Sequence, residues 1–238
     1  MSGHSKWSTI KHKKALTDAK KGKIFSRLSA LISIAAKHGD DPAMNPSLRL
    51  YIDKARQAEM PKNNIDRAIK RGTSELGGAQ LEEFVYEAYG PGGIGIIIEG
   101  VTDNKNRTVA EIKAVLNKYN GKLAETGSVN YLFDKQGVII VDKKEKSGND
   151  IELSAIDAGA RDFIEEDEQV IIYTDSNDLE NTKKQLETNG FKIESAELSL
   201  VPKTTVAVEP DKADTIEKLL NSLDDLDDVT NIGTNAEI

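Results

Sequence analysis

Residues 204–232, TTVAVEPDKADTIEKLLNSLDDLDDVTNI, decide how this chain is folded. They read as a strand over 204–208, a helix over 212–222 and a strand over 229–232, a βαβ segment with no local neighbour to pair with. Just upstream lies a self-contained series: strand 138–141, helix 150–158, strands 162–165 and 169–174, helix 177–188 and strand 192–198. That series is a complete βαββαβ unit. Upstream again, strands 84–89 and 94–101, a helix over 108–119 and a strand over 128–133 form an incomplete one. The two incomplete pieces are natural partners. The expected arrangement is a discontinuous α/β middle domain, residues 81–134 plus 203–238, interrupted by an inserted domain at 135–202.

Residues 1–80 follow a helical period instead. Ile24, Leu28, Leu31, Ile32 and Ala35 fall on one stripe of a helix that ends near Gly39. Asn45 before Pro46 is a helix start, the amide capping free N–H groups and the proline filling the first turn. That second helix continues through Leu48, Tyr51, Ile52 and Ala55 to about Glu59. Residues 60–63 read as a tight turn, and 64–71 as a third helix with Ile65, Ala68 and Ile69 inward, stopping at Gly72. The predicted fold class is α+β in three domains: a three-helix N-terminal domain, then two ferredoxin-like βαβ-type domains, one inserted in the other.

Composition bounds the function. The 238 residues are 38% hydrophobic and 30% charged, ordinary values for a folded globular protein. There is no cysteine, which excludes disulfides, thiolate nucleophiles and cysteine-bearing metal sites. Purely apolar runs such as Ile96 to Ile98 or Val138 to Val141 are far below the ~20 residues of a membrane helix, and no signal-peptide core follows Met1. A cytoplasmic protein without membrane contact is expected.

The net charge of −8 hides a strong polarity. Residues 1–75 carry a net +9, and residues 76–238 a net −17. Lys6, Lys11, Lys13, Lys14, Lys20, Lys21, Lys23 and Arg27 place eight cations in 22 residues, opposed only by Asp18. Phosphate backbones suit such density, because each phosphate neutralised releases condensed counterions. Trp7 inside the run can stack on an exposed base, or simply plug the helical core. His4 and His12 read as polar contacts in the same arm. A solvated basic arm is the plainer alternative.

On the third helix, Arg67, Lys70 and Arg71 project away from the apolar face, and Lys62, Asn63 and Asn64 precede them. This helix-turn-helix-like pair suits a groove or a phosphate backbone; a solvated face whose cations complement the helix C-terminus explains the same letters. The segment Asp103, Asn104, Lys105, Asn106 and Arg107 precedes a helix and offers a possible second contact, although capping by Asn106 or Thr102 also accounts for it. The glycines at 90, 92, 93 and 95 lead into a strand, so they read as a turn rather than a phosphate loop. The acidic runs 165–168 and 224–228 read as solvated surface. No metal-ligand spacing and no nucleophile motif is present, so no catalytic residue, metal, cofactor or small-molecule substrate is expected.

Several motifs carry a family resemblance. GHSKW at 3–7, IKHKKA at 10–15, KGKIF at 21–25, MPKNNI at 60–65, RAIKRG at 67–72, YEAYGPGG at 86–93, TDNKNRT at 102–108 and GSV at 127–129 strongly resemble the YebC/PmpR family. Lys105 stands where arginine is usual, keeping the charge. The resemblance implies a three-domain α+β protein with a helical N-terminal domain. It implicates His4, Lys6, Trp7, Lys11, His12, Lys13, Lys14, Lys23, Lys62, Asn63 and Lys70 in nucleic-acid binding, and it implies no catalytic step. It also implies one of two roles: a DNA-binding transcriptional regulator, or a ribosome-associated translation factor that contacts rRNA or tRNA and relieves stalling on proline-rich sequences. A hydrolase or transferase using the glycine-rich and Asp-Asn loops is the reading from a different class.

Overall fold

Three helices form where the apolar stripe predicts them. The computed structural model describes residues 18–74, 80–143 and 148–237. Helix α1 spans Asp18–Ala36, α2 Pro46–Gln57 and α3 Lys62–Gly72. Leu28, Ile32, Ala35, Leu48, Ile52, Ala55, Met60, Ile65 and Ala68 share one buried cluster. Leu31 sits at the margin of its stripe and, beside Ile34, packs with Leu81 and Val101 instead. Helix α1 is therefore buried on two sides.

Asn45 caps α2 by accepting a hydrogen bond from the Leu48 N–H at 3.0 Å. Its amide also donates to the Ala35 and Gly39 carbonyls, both at 2.8 Å, so one side chain fastens the end of α1 to the start of α2. Helix α2 closes with Glu59 in the left-handed region (φ 61°), and the Met60 N–H returns to the Ala55 carbonyl at 2.8 Å. Met60 is thereby folded into the core.

One expectation changes here. Helix α3 begins at Lys62, not Asn64, because Pro61 supplies a fixed φ and a carbonyl that accepts from Asn64 and Ile65. Lys62, Asn63 and Asn64 thus form the first helical turn rather than a loop before it. Helix α3 stops at Gly72 as expected, although Gly72 is not in the left-handed region. A Cβ at this position would lie 2.2 Å from the Ser33 carbonyl oxygen and 2.7 Å from the Ala36 Cβ, so glycine is there to let α3 lie against α1. The Ser33 hydroxyl donates across the same contact to the Ala68 carbonyl at 2.8 Å.

The first sheet contains β1 (Glu82–Tyr89), β2 (Gly95–Thr102) and β3 (Lys122–Leu123), with α4 (Lys105–Lys118) between the last two. The chain then leaves for residues 131–204 and returns. Across that excursion come β4 (Phe133–Asp142), α5 (Gly148–Asp157), β5 (Asp162–Glu165), β6 (Gln169–Asp175), α6 (Leu179–Thr188) and β7 (Ile193–Pro202). After it come β8 (Val206–Ala207), α7 (Pro210–Asp224), β9 (Val229–Thr234) and β10 (Ala236–Glu237). Strand β9 pairs antiparallel with β2, giving the order β3-β1-β2-β9, and α7 buries Ile216, Leu219, Leu220 and Leu223 against Ile96, Ile98, Ile112 and Leu116. The returning helix and strand complete the outer sheet. Strand β8 stays outside it, paired in parallel with β10.

Residues 131–204 form a compact unit of their own, and the chain up to Asn130 together with Thr205 onward forms the other. Strands of the 131–204 unit run in the order β5-β6-β4-β7, antiparallel throughout, which is the ferredoxin-like arrangement. Helices α5 and α6 cover one face, where Ile139, Val141, Val170 and Ile172 meet Ile151, Ala155 and Leu186.

The strand expected over 128–133 does not form. Glu87, buried on β1 at 5% exposure, accepts from the backbone N–H groups of Gly127 (2.6 Å), Val129 (2.5 Å) and Asn130 (2.9 Å). Donors committed to a carboxylate are not available to a ladder, and the strand starts only at Phe133. Burial pushes the Glu87 carboxyl up, but the three backbone donors outweigh it and hold it below the usual carboxylate range. A depressed carboxyl contributes stability that is present above its unfolded-state pKa and lost as pH falls through the folded-state value. Glu87→Gln, which turns an N–H group toward those donors, is expected to cost about 2–3 kcal/mol at neutral pH and less in acid, at a pH below the folded-state value. Urea unfolding at both pH values measures this, and an equal loss at both would contradict the account.

Candidate nucleic-acid interface

Lys62, Asn63, Asn64, Arg67, Lys70 and Arg71 are all exposed on α3. Asn63, Arg67 and Lys70 follow i, i+4, i+7 spacing, so they line one face, with Asn64 and Arg71 beside them. Ile65 and Ala68 hold the opposite face in the core. Among the described residues none of the four cations has an ion pair, so their charge is available to a partner. At 11 residues α3 is about 16 Å long.

The cations of α1 are placed differently. Lys21 pairs with Glu59 at 3.3 Å and Lys23 with Asp225 at 3.2 Å. Arg27 donates to the Asp224 carboxylate at 3.2 Å and to the Asp224 backbone carbonyl, with its side chain only 15% exposed. Lys23 and Arg27 thus clasp the C-terminal end of α7. The acidic run at 224–228 is correspondingly more than solvated surface. His4, Lys6, Trp7, Lys11, His12, Lys13 and Lys14 lie outside the described residues, as does the side chain of Lys20.

The 103–107 segment is also largely self-satisfied. Asn104, rather than Asn106 or Thr102, caps α4 by accepting from the Arg107 N–H at 3.2 Å. The Arg107 guanidinium donates to Asp103 at 2.9 Å and Asp228 at 3.1 Å, and Lys105 pairs with Glu82 at 2.5 Å. Asp228 further accepts from the hydroxyls of Thr102 (2.9 Å) and Thr108 (2.5 Å). This network ties the start of α4 to the loop before β9. An incoming anion would have to compete with carboxylates already in place. Asn106 is exposed and has no such partner among the described residues.

Glu87, Asp224 and Asp228 were not singled out as structural centres by the sequence reading. Their partners lie 40 to 197 residues away in the chain. The available signal was the joint presence of YEAYGPGG and GSV, whose Glu87 and Gly127–Val129 backbone meet here.

Fold and surface together define an α+β protein with a basic helical module and two four-stranded sheets, one in each compact unit. The family model described as "TACO1/YebC protein N-terminal domain" matches residues 5–75, and that described as "TACO1/YebC second and third domain" matches residues 81–236. The chain belongs to the TACO1/YebC family. It is 49% identical over 239 residues to a "Probable transcriptional regulatory protein" of Trichlorobacter lovleyi, covering 100% of this chain and 96% of that one. A relative of the same description from Thermoanaerobacter pseudethanolicus is 49% identical over 240 residues, at 100% and 98% coverage. The crystal structure of a conserved hypothetical protein from Aquifex aeolicus matches with a TM-score of 0.88 and 44% identity, covering 96% of this chain and 95% of that one. Among the described residues no helix is long and apolar enough to cross a membrane.

Proposed function

We propose that the protein is a nucleic-acid-binding regulator of gene expression, acting on DNA as a transcriptional regulator. The observation that carries this reading is the α3 face, where four cations without ion pairs and two asparagine amides share one exposed helix. Cations held free of carboxylates retain the charge that phosphates neutralise. The amides carry a donor and an acceptor side by side, the pattern that pairs with an adenine edge. The names of the relatives support the same role.

Crosslinking the bound nucleic acid in cells and sequencing it tests the polymer. Recovery of promoter DNA without ribosomal RNA is expected. Recovery of ribosomal or transfer RNA without promoter DNA would overturn the transcriptional reading in favour of a translation factor.

A further inference from the structure

An open cleft of about 620 Å³ lies at the C-terminal end of α4, against the turn between β1 and β2. Gly90 and Gly93 line one side, and Asn117, Asn120 and Lys122 the other, with Tyr89 between them in the chain's outer sheet. Local geometry explains how these groups come to be free. Asn120 takes the left-handed conformation (φ 58°) and Gly121 donates back to the Leu116 carbonyl at 2.8 Å, so backbone groups at the helix end are satisfied without side chains. The Asn117 and Asn120 amides and the Lys122 ammonium are exposed and have no hydrogen-bond or ion-pair partner among the described residues.

The opposite wall is shaped by glycine. Gly92 and Gly93 both have positive φ (76° and 78°), and open space surrounds the position a Gly93 side chain would occupy. A ligand can approach that backbone closely. Tyr89 donates its hydroxyl to the Ser128 carbonyl at 3.0 Å, which fixes its ring at the site. Lys118, 5.2 Å above the Tyr119 ring, adds positive charge on the same helix end.

We propose that this cleft holds one unpaired nucleotide of the bound nucleic acid. Asn117 and Asn120 meet the edge of the base, and Lys122 meets a phosphate. Paired amide donors and acceptors recognise base edges, whereas a lone ammonium recognises phosphate as a point charge. The cleft is open rather than enclosed, which fits a segment of polymer better than a free small molecule. This inference rests on the nucleic-acid reading given above and adds a second contact, separate from the α3 face.

The test compares the full-length protein on a fully paired DNA duplex and on the same duplex carrying a three-nucleotide bulge. The parent is expected to bind the bulged probe at least tenfold more tightly. Asn117→Ala with Asn120→Gly, the glycine keeping the left-handed backbone, should abolish that preference and leave duplex affinity and its salt dependence unchanged. Lys122→Ala should reduce the salt slope by about one on the bulged probe alone. Equal binding of the two probes by the parent, or a preference surviving the double substitution, would overturn the cleft while the α3 reading stood. Binding of neither probe by the parent would overturn both.

Discussion

Arg67→Ala, Lys70→Ala and Arg71→Ala combined are expected to lower duplex affinity by two to three orders of magnitude near 0.1 M salt. Each lost phosphate contact removes roughly 0.9 from the salt slope, so the slope should fall by about three. Alanine favours the helix, and all three positions are exposed, so α3 should still form. Affinity measured by fluorescence anisotropy across a salt series gives both quantities. A slope unchanged by the triple substitution would remove α3 from the interface. Changing Lys23 or Arg27 is a different experiment, because these cations hold the end of α7 and their loss acts on stability as well as on charge.

Gly72→Ala should be the most damaging one-carbon change in the helical module. The new Cβ would stand 2.2 Å from the Ser33 carbonyl oxygen and 2.7 Å from the Ala36 Cβ, and neither atom belongs to a side chain able to swing away. Helices α1 and α3 would have to separate, opening the contact that buries Ala68 and Ile65. Overpacking of this kind costs about 3 kcal/mol. Gly22→Ala is the internal comparison: it lies in α1 with nothing within 4 Å of the added carbon, and alanine there should gain roughly 0.5–1 kcal/mol. Urea midpoints for the two variants should therefore move in opposite directions. Matching shifts would mean that helix propensity, not the close approach, governs Gly72.

The elements most legible in sequence are those whose causes are local. Asn45 and Pro46 announce α2 because capping involves residues three positions apart, and the βαββαβ series is readable because strands such as 138–141 and 170–173 are short, largely β-branched apolar runs. Strand β3, only two residues long, has too little pattern to read. The segment at 128–133 looked like a strand because its letters allow one; what prevents it ahead of Phe133 is a carboxylate 40 or more residues earlier. The same limit applies to the surface. Exposure of Arg67, Lys70 and Arg71 follows from the helical period of α3, whereas the engagement of Arg27 depends on Asp224, 197 residues away, and could not be seen from the charge of the N-terminal segment. Counting cations overstated how many are free on α1.

The pairing of β2 with β9 also sets an order of assembly. Ile98 stands opposite Ile232, so this sheet cannot close until β9 has been made. All strand partners of the 131–204 unit lie within that unit, so it can fold while α7 and β9 are still unsynthesised. Until then Ile96, Ile98 and Ile112 lack their cover, and Lys23 and Arg27 lack the carboxylates that clasp them. A chain cut short before α7 would carry a finished 131–204 unit and an open apolar sheet. Fragments without α7 and β9 would therefore expose the apolar surface that chaperones and proteases recognise.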